Sequence, residues 1–229
     1  LCRSTTKAYT ATVRLGQAMS TDDAEGELLA ETDASALTDD QIAAVIGTLI
    51  GDIEQVPASV SAIKIDGQRA YKLHREGEEV QLAARPVTVH RFEVLARRDV
   101  EGGLVDLDVD VECTSGTYVR ALARDLGAAL GVGGHLTVLR RTRVGPFTLE
   151  HARTLAELAD TPAVSLDIDA AAVTAFEHRK IDDNQALALS QGKWLEPIGM
   201  KGVYATIDPA GRAIALVEER GKRASSVMV

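Results

Sequence analysis

The sequence predicts an α+β protein: a mixed, mostly antiparallel sheet with flanking helices, followed by a small β-rich module. Three observations predict it. Two segments alternate apolar and polar residues with period two, apolar stripes at helical spacing open on capping residues, and the tail carries two short apolar runs around a tight turn.

Lys7 to Leu15 places Tyr9, Ala11, Val13 and Leu15 on one face and Thr10, Thr12 and Arg14 on the other, so it is a strand closed by Gly16. Ser20 to Gly26 is a polar, acidic loop. Thr38-Asp39-Asp40-Gln41 is a capping box, in which the threonine oxygen takes a free N–H of the first turn and the glutamine reaches back. Ile42, Val45, Ile46, Leu49 and Ile50 follow as a buried helical stripe, with Gly51 as the stop. Gln55 to Gly77 is broken by Pro57, Gly67 and Gly77 and is basic. It predicts an exposed excursion with a short helix near Tyr71 to Arg75. Val87 to Ala96 is a strand, and Glu101-Gly102-Gly103 turns it into Leu104 to Cys113 as an antiparallel hairpin. On the second strand Val105, Leu107, Val109, Val111 and Cys113 share a face, opposite Asp106, Asp108, Asp110 and Glu112. Acids at i and i+2 stand about 6.8 Å apart, too far to close on one metal ion, so a solvated face is expected. Thr114 to Thr117 breaks the strand and caps a helix with the stripe Val119, Leu122, Ala123, Leu126 and Leu130. Gly131 to Gly134 is read as a flexible hinge. Leu155 to Leu158 and Asp182 to Leu189 are short helices. Val203 to Ile207 and Ala213 to Val217 are strands joined by Asp208-Pro209-Ala210-Gly211.

Composition narrows the class. The chain has 229 residues, 45% hydrophobic and only 3% aromatic, so aliphatic side chains fill the core. Cys2 and Cys113 form neither a disulfide framework nor a zinc spacing, and a reducing, cytoplasmic setting is expected. No run approaches the roughly 18 apolar residues of a membrane span. The net charge of −9 taken alone argues against a nucleic-acid partner. Yet Lys72, His74 and Arg75, then Arg91, Arg97 and Arg98, then Arg120 and Arg124, then Arg140, Arg141 and Arg143 are grouped in sequence, and the acids concentrate elsewhere. One basic face and a set of separate solvated charges both fit that grouping.

The five histidines show no metal-ligand spacing, and there is no P-loop, Rossmann fingerprint or Gly-x-Ser-x-Gly elbow. Thr114 to Arg124 carries the most chemistry. A helix start points N–H groups and a positive dipole outward. Tyr118 there offers a flat face and a hydroxyl, and Arg120 a two-pronged donor for a carboxylate or phosphate. The stretch can floor an anionic or planar ligand, or it can be a packed tyrosine beside a surface arginine.

Ser115-Gly116-Thr117-Tyr118-Val119-Arg120-Ala121-Leu122, followed by Asp125-Leu126-Gly127, resembles the arginine motif of TruB-type pseudouridine synthases. Lys7-Ala8-Tyr9, Leu15-Gly16 and Asp23-Ala24-Glu25-Gly26 resemble that family's tyrosine motif. Gln55-Val56-Pro57 with Ser61-Ala62-Ile63-Lys64, Gly67, Arg69 and Tyr71 resembles its tRNA-gripping insertion. Leu139-Arg140-Arg141-Thr142 resembles its Leu-Arg-Arg segment. The motifs run in order from Lys7 to about Leu155, and the likeness continues more weakly through the tail.

The resemblance implies the pseudouridine synthase fold and isomerisation of uridine 55 of the tRNA T-loop, with no metal and no cofactor. The base would be flipped out of the RNA. It implies that Tyr9 stacks on the uracil, Tyr118 contacts it and Leu139 packs against it. Arg120 would keep a nucleophilic aspartate ionised, as a neighbouring guanidinium favours a carboxylate. Lys64, Arg69, Lys72 and Arg75 would cradle the T-loop, and Arg140, Arg141 and Arg143 would meet phosphates. The implied organisation is a catalytic domain over 1–178, with the insertion at about 55–85, and a PUA-like domain over 179–229. The expected partner is the tRNA T-arm, with no membrane partner, and the complete protein is expected to be a monomer. Three positions depart from the pattern: Met19 for threonine, Ala58 for proline and His74 for alanine. The family's Gly-x-Leu-Asp-Pro nucleophile motif is absent, and the only Asp-Pro is Asp208-Pro209. The expectation is therefore an N-terminally incomplete chain, inactive by itself. A non-catalytic tRNA-binding module is the second reading.

Overall fold

In the computed structural model, the alternating Lys7–Leu15 pattern forms the strand β1 (Thr6–Leu15). The structure describes residues 6–57, 64–65, 68–69 and 83–228. The short helix expected near Tyr71 to Arg75, and Lys72 and Arg75 themselves, lie outside the described residues. At Lys64 and Arg69 the backbone alone is described. The chain divides into two compact units, Leu1–Gly145 and Pro146–Val229.

In the first unit β1 is followed by β2 (Gln17–Met19), β3 (Leu28–Glu31), α1 (Asp39–Thr48) and β4 (Gly51–Gln55). The two-residue strands β5 (Lys64–Ile65) and β6 (Gln68–Arg69) pair with each other. Then come β7 (Arg85–Val100), β8 (Leu104–Thr114), α2 (Val119–Ala129) and β9 (Gly134–Val144). The main sheet carries β9, β1, β8, β7 and β4 as successive neighbours. Its pairings β1–β8, β1–β9, β7–β8 and β4–β7 are all antiparallel. β2 and β3 form a separate hairpin.

The capping box at α1 is present, with Thr38 accepting from the Gln41 N–H at 3.2 Å and Gln41 accepting from the Thr38 N–H at 2.8 Å. Ile42 and Ile46 are buried and Val45 and Leu49 half-buried, whereas Ile50 is exposed. On β8 the whole stripe Val105, Leu107, Val109, Val111 and Cys113 is buried. It packs with Val119, Leu122, Ala123 and Leu126 of α2 and with α1 as one core. Each Val or Leu so buried contributes about 1.5–3 kcal/mol of transfer free energy.

Three local expectations are corrected. First, the acidic face of β8 is a ladder of ion pairs and not merely a solvated row. Arg14 chelates Asp106 at 2.8 and 2.9 Å, Arg98 and Thr12 bind Asp108, Arg91 binds Asp110, and Arg143 reaches Glu112 at 2.7 Å. The register explains the last pair: Ala8 lies directly between Arg143 and Glu112, and its methyl lets the arginine pass over. Second, Gly131 to Gly134 is a packed crossing and not a hinge. Val132 and Gly133 both donate to the Gly127 carbonyl at 3.0 Å, and Gly16 donates to that of Gly133 at 3.1 Å. Third, the Thr114–Thr117 turn supplies no side-chain cap to α2. Thr117 Oγ1 instead closes the turn on the Thr114 carbonyl at 2.9 Å, and Tyr118 occupies the cap position.

The ladder makes acid stability testable. Arg98 and Thr12 hold the Asp108 carboxyl down at about 2. A folded value below the unfolded value of about 3.9 stabilises the protein above that pH, and the stabilisation is lost as pH falls toward 2. Urea unfolding of Asp108→Asn is expected to decline less between pH 4 and pH 2 than that of the unaltered protein. Equal declines would refute the assignment.

In the second unit, β10 (Phe147–Thr148) and a 3₁₀ turn (Leu149–His151) precede α3 (Leu155–Asp160) and α4 (Ile168–Ala175). β11 (His178–Lys180), α5 (Asp183–Ser190), β12 (Val203–Ile207), β13 (Ala213–Arg220) and β14 (Arg223–Met228) complete it. A four-stranded sheet runs β11-β12-β13-β14, with β11 parallel to β12. The expected hairpin forms, and Asp208 Oδ1 accepts from the Arg212 N–H at 2.8 Å to close its turn. Tyr204, Leu189, Val217 and Ala224 are its buried centre. No described helix is long and apolar enough to cross a membrane.

Candidate functional site

Paired residues of antiparallel strands share a sheet face, so the register sorts the site candidates. Tyr9 pairs with Val111 on one side and Arg141 on the other, and Ala11 pairs with Leu139. Tyr9, Leu139 and Arg141 therefore stand on the helix-covered face, where Tyr9 packs against the core. Leu139 is 47% exposed, so this part of the face is accessible. Arg141 lies near enough to the Tyr9 hydroxyl to influence it. Burial nevertheless pushes the phenol above its ordinary value, and Arg141 only partly opposes that.

Arg140 pairs with Thr10 and Arg143 with Ala8, which puts both on the ladder face. Arg143 is already bound by Glu112, the Thr6 hydroxyl and the Gly145 carbonyl. The three arginines, close together in sequence, thus do not share one surface. A β-bulge between Ala8 and Tyr9 shifts the register and sets which arginine falls beside the tyrosine.

Tyr118 and Arg120 enter from α2. The backbone of Tyr118 is bracketed by the buried Gln55 side chain, which accepts its N–H at 2.7 Å and donates to its carbonyl at 3.1 Å. A primary amide fits because it carries one donor and one acceptor side by side. Arg120 Nη1 donates to Asp23 Oδ2 at 2.7 Å, and both side chains are about three-quarters buried. Asp23 Oδ1 is taken by Thr21 Oγ1 at 2.6 Å and by the Glu25 N–H at 3.2 Å. The loop is pinned to β9, with Leu136 donating to the Asp22 carbonyl and Ala24 to that of Leu136. Lys7 Nζ donates to Ser115 Oγ at 3.2 Å, joining the start of β1 to the turn before α2.

The site-residue expectations omitted Asp22, Asp23, Gln55 and Arg124. A signal for three of these exists in the sequence: Arg120 and Arg124 stand four apart on one helix, matching the adjacent pair Asp22-Asp23. His135, buried beneath this loop, bonds the Gln17 carbonyl, and burial lowers its basicity.

The arrangement is a largely buried guanidinium fixed by a carboxylate on the side of a sheet that carries a tyrosine, an exposed leucine and a second arginine. It can hold an anionic group and a planar ring together. The fold around it is shared with two solved structures. It matches a chain in "Structure of H/ACA RNP bound to a substrate RNA containing 2'-deoxyuridine" with a TM-score of 0.65 and 22% identity, covering 100% of this chain and 67% of that one. A chain in a Cbf5-Nop10-Gar1 complex matches with a TM-score of 0.63 and 22% identity, covering 99% and 66%.

Family models narrow this further. Residues 1–119 match the TruB family pseudouridylate synthase N-terminal domain. Residues 120–173 match the tRNA pseudouridylate synthase B C-terminal domain, and 176–229 the tRNA pseudouridine synthase II C-terminal domain. The proteins named tRNA pseudouridine synthase B from Rhodococcus jostii and Nocardia farcinica are 72% and 68% identical over 98% of this chain. The chain spans 74% and 73% of their lengths. It belongs to the TruB family of pseudouridylate synthases, a family of isomerases.

Proposed function

We propose that this protein converts uridine to pseudouridine in tRNA, at position 55 of the T-loop, and that the α2 mouth beside β1 and β9 is where the base is received. The observation that carries the reading is Arg120, held at 2.7 Å by Asp23 on the face that bears Tyr9, Leu139 and Arg141. In this reading Tyr9 stacks on the everted uracil, Tyr118 contacts it and Leu139 closes one side. Arg120 keeps charged a nucleophilic aspartate, which the family carries in the Gly-x-Leu-Asp-Pro motif that these 229 residues do not contain, because an adjacent guanidinium favours the ionised form. Isomerisation exchanges the bond from the ribose to N1 of uracil for one to C5, so the freed ring must be retained while it turns. A stacking tyrosine and an apolar wall suit that task. Arg141, on the Tyr9 face, is the better phosphate or base contact, since Arg143 is committed to Glu112. Lys64, Arg69, Lys72 and Arg75 remain proposed T-loop contacts. Residues 1–178 are the proposed catalytic domain and 179–229 the PUA-like one.

The test uses a T-arm hairpin RNA with tritium at C5 of its uridine, which is released when C5 enters the glycosidic bond. The full-length protein is expected to release it, and hairpin binding is expected to weaken steeply between 50 and 200 mM salt, as phosphate contacts require. Binding without release would favour the non-catalytic module. Neither binding nor release would overturn both.

A further inference from the structure

Arg124, one turn beyond Arg120 on α2, ties that helix to two other segments of the chain. Its Nη1 donates to Asp22 Oδ2 at 3.1 Å, its Nη2 to the Val56 carbonyl at 2.7 Å, and its Nε to Asp125 Oδ1 at 2.9 Å. Asp22 is only 8% exposed and has a φ of +60°, the one positive φ among the described non-glycine residues. Backbone of that kind persists only where its surroundings over-determine it. Here they are the Arg124 fork on the side chain and the Leu136 N–H on the carbonyl at 3.1 Å. The reversal at Asp22 aims the next residue: Asp23 Oδ1 is occupied by Thr21 and Glu25, and Oδ2 meets Arg120.

We propose that Arg124 is a positioning residue, which through Asp22 sets the direction of Asp23 and so the place of the Arg120 guanidinium in the site. The same fork holds Val56, next to the Gln55 amide that brackets Tyr118, so both α2 side chains of the site are located from one helix turn. Two adjacent aspartates are thereby read by two arginines four residues apart, and only the Asp23–Arg120 pair faces the proposed chemistry. The inference rests on Arg120 being the site arginine of the proposed function.

The experiment compares Arg124→Gln, Arg124→Lys, Asp22→Asn and the Asp22→Asn/Arg124→Gln double variant of the full-length protein. It reads the single-turnover rate at saturating T-arm RNA, the Kd for that RNA and the melting temperature. Arg124→Gln is expected to slow turnover on the order of 10- to 100-fold, the scale of an ångström-sized misplacement, with Kd little changed. Arg124→Lys should recover part of the rate, because a point charge reaches Asp22 without the fork to Val56 and Asp125. Asp22→Asn should slow turnover likewise, and the double variant no further than the slower single, because both break one link. Unchanged rates with only a lowered melting temperature would overturn the proposal, as would fully additive losses. If Arg124→Gln does not fold, Asp22→Asn decides alone, since asparagine tolerates the left-handed backbone. The unaltered protein separates the two failures: turnover there with normal variants sinks only this inference, and no turnover there sinks the functional reading and this with it.

Discussion

Arg120→Met in the full-length protein is expected to slow isomerisation by roughly 10²–10³-fold, the scale of removing one preorganised electrostatic donor. The side chain is held to Asp23 at 2.7 Å, and both are about three-quarters buried, so their interaction is screened less than a surface pair's. Methionine keeps the apolar stem and removes every donor. Asp23 then loses the partner of its Oδ2, while Thr21 and Glu25 still hold Oδ1. The loop should therefore stay near its place, and the lost rate should exceed any lost stability. Arg120→Lys is expected to remain strongly impaired, since an ammonium cannot serve two carboxylates through a planar fork. Single-turnover release of tritium at saturating RNA reads the chemical step apart from binding. A fall of less than about tenfold in Arg120→Met would remove Arg120 from the site.

Gly127→Ala is expected to destabilise the protein by about 3 kcal/mol or more, at the upper end for overpacking, because the obstacle is backbone. A Cβ at Gly127 would lie 2.1 Å from both the Gly133 carbonyl carbon and the Gly134 nitrogen. Neither can rotate aside as a side-chain tip would. The reverse contact is also below the closest approach: a Cβ at Gly134 would lie 2.4 Å from the Ala123 carbonyl oxygen. α2 would have to lift from the start of β9, carrying Arg120 and Arg124 with it. Gly131→Ala is the comparison. Its φ is +75° but nothing lies within 4 Å, so it should cost only about 1 kcal/mol of backbone strain. Urea unfolding of both variants checks the pair. Gly127→Ala losing no more than Gly131→Ala would show that the crossing is not close-packed.

What was legible from the residues was short-range. Thr38 and Gln41 announce a helix start because the atoms that satisfy each other lie three residues apart. Leu104 to Cys113 announces a strand because its two faces differ at every step. The motif order from Lys7 to about Leu155 carried the family, and the Asp-Pro-Ala-Gly turn marked the β12–β13 hairpin. None of this needed to know which strand lies beside which.

The partners of the charges were decided only in three dimensions. Arg14 and Asp106, Arg143 and Glu112, and Arg124 and Asp22 are each brought together by strand register and by the seating of α2. A one-residue slip would send each side chain to the other face, and the bulge at Ala8–Tyr9 is such a local slip. The sequence by itself therefore determined β1, α1, the β7–β8 hairpin, α2 and the β12–β13 hairpin, together with the family and the residue types of the site. Tertiary structure decided that Arg141 stands with Tyr9 while Arg140 and Arg143 do not, and that Gly131 to Gly134 is packed rather than hinged. The physical reason is that propensity and capping act within a turn or a strand, whereas ion pairing and close approach depend on how separate elements are aligned, which no local pattern encodes.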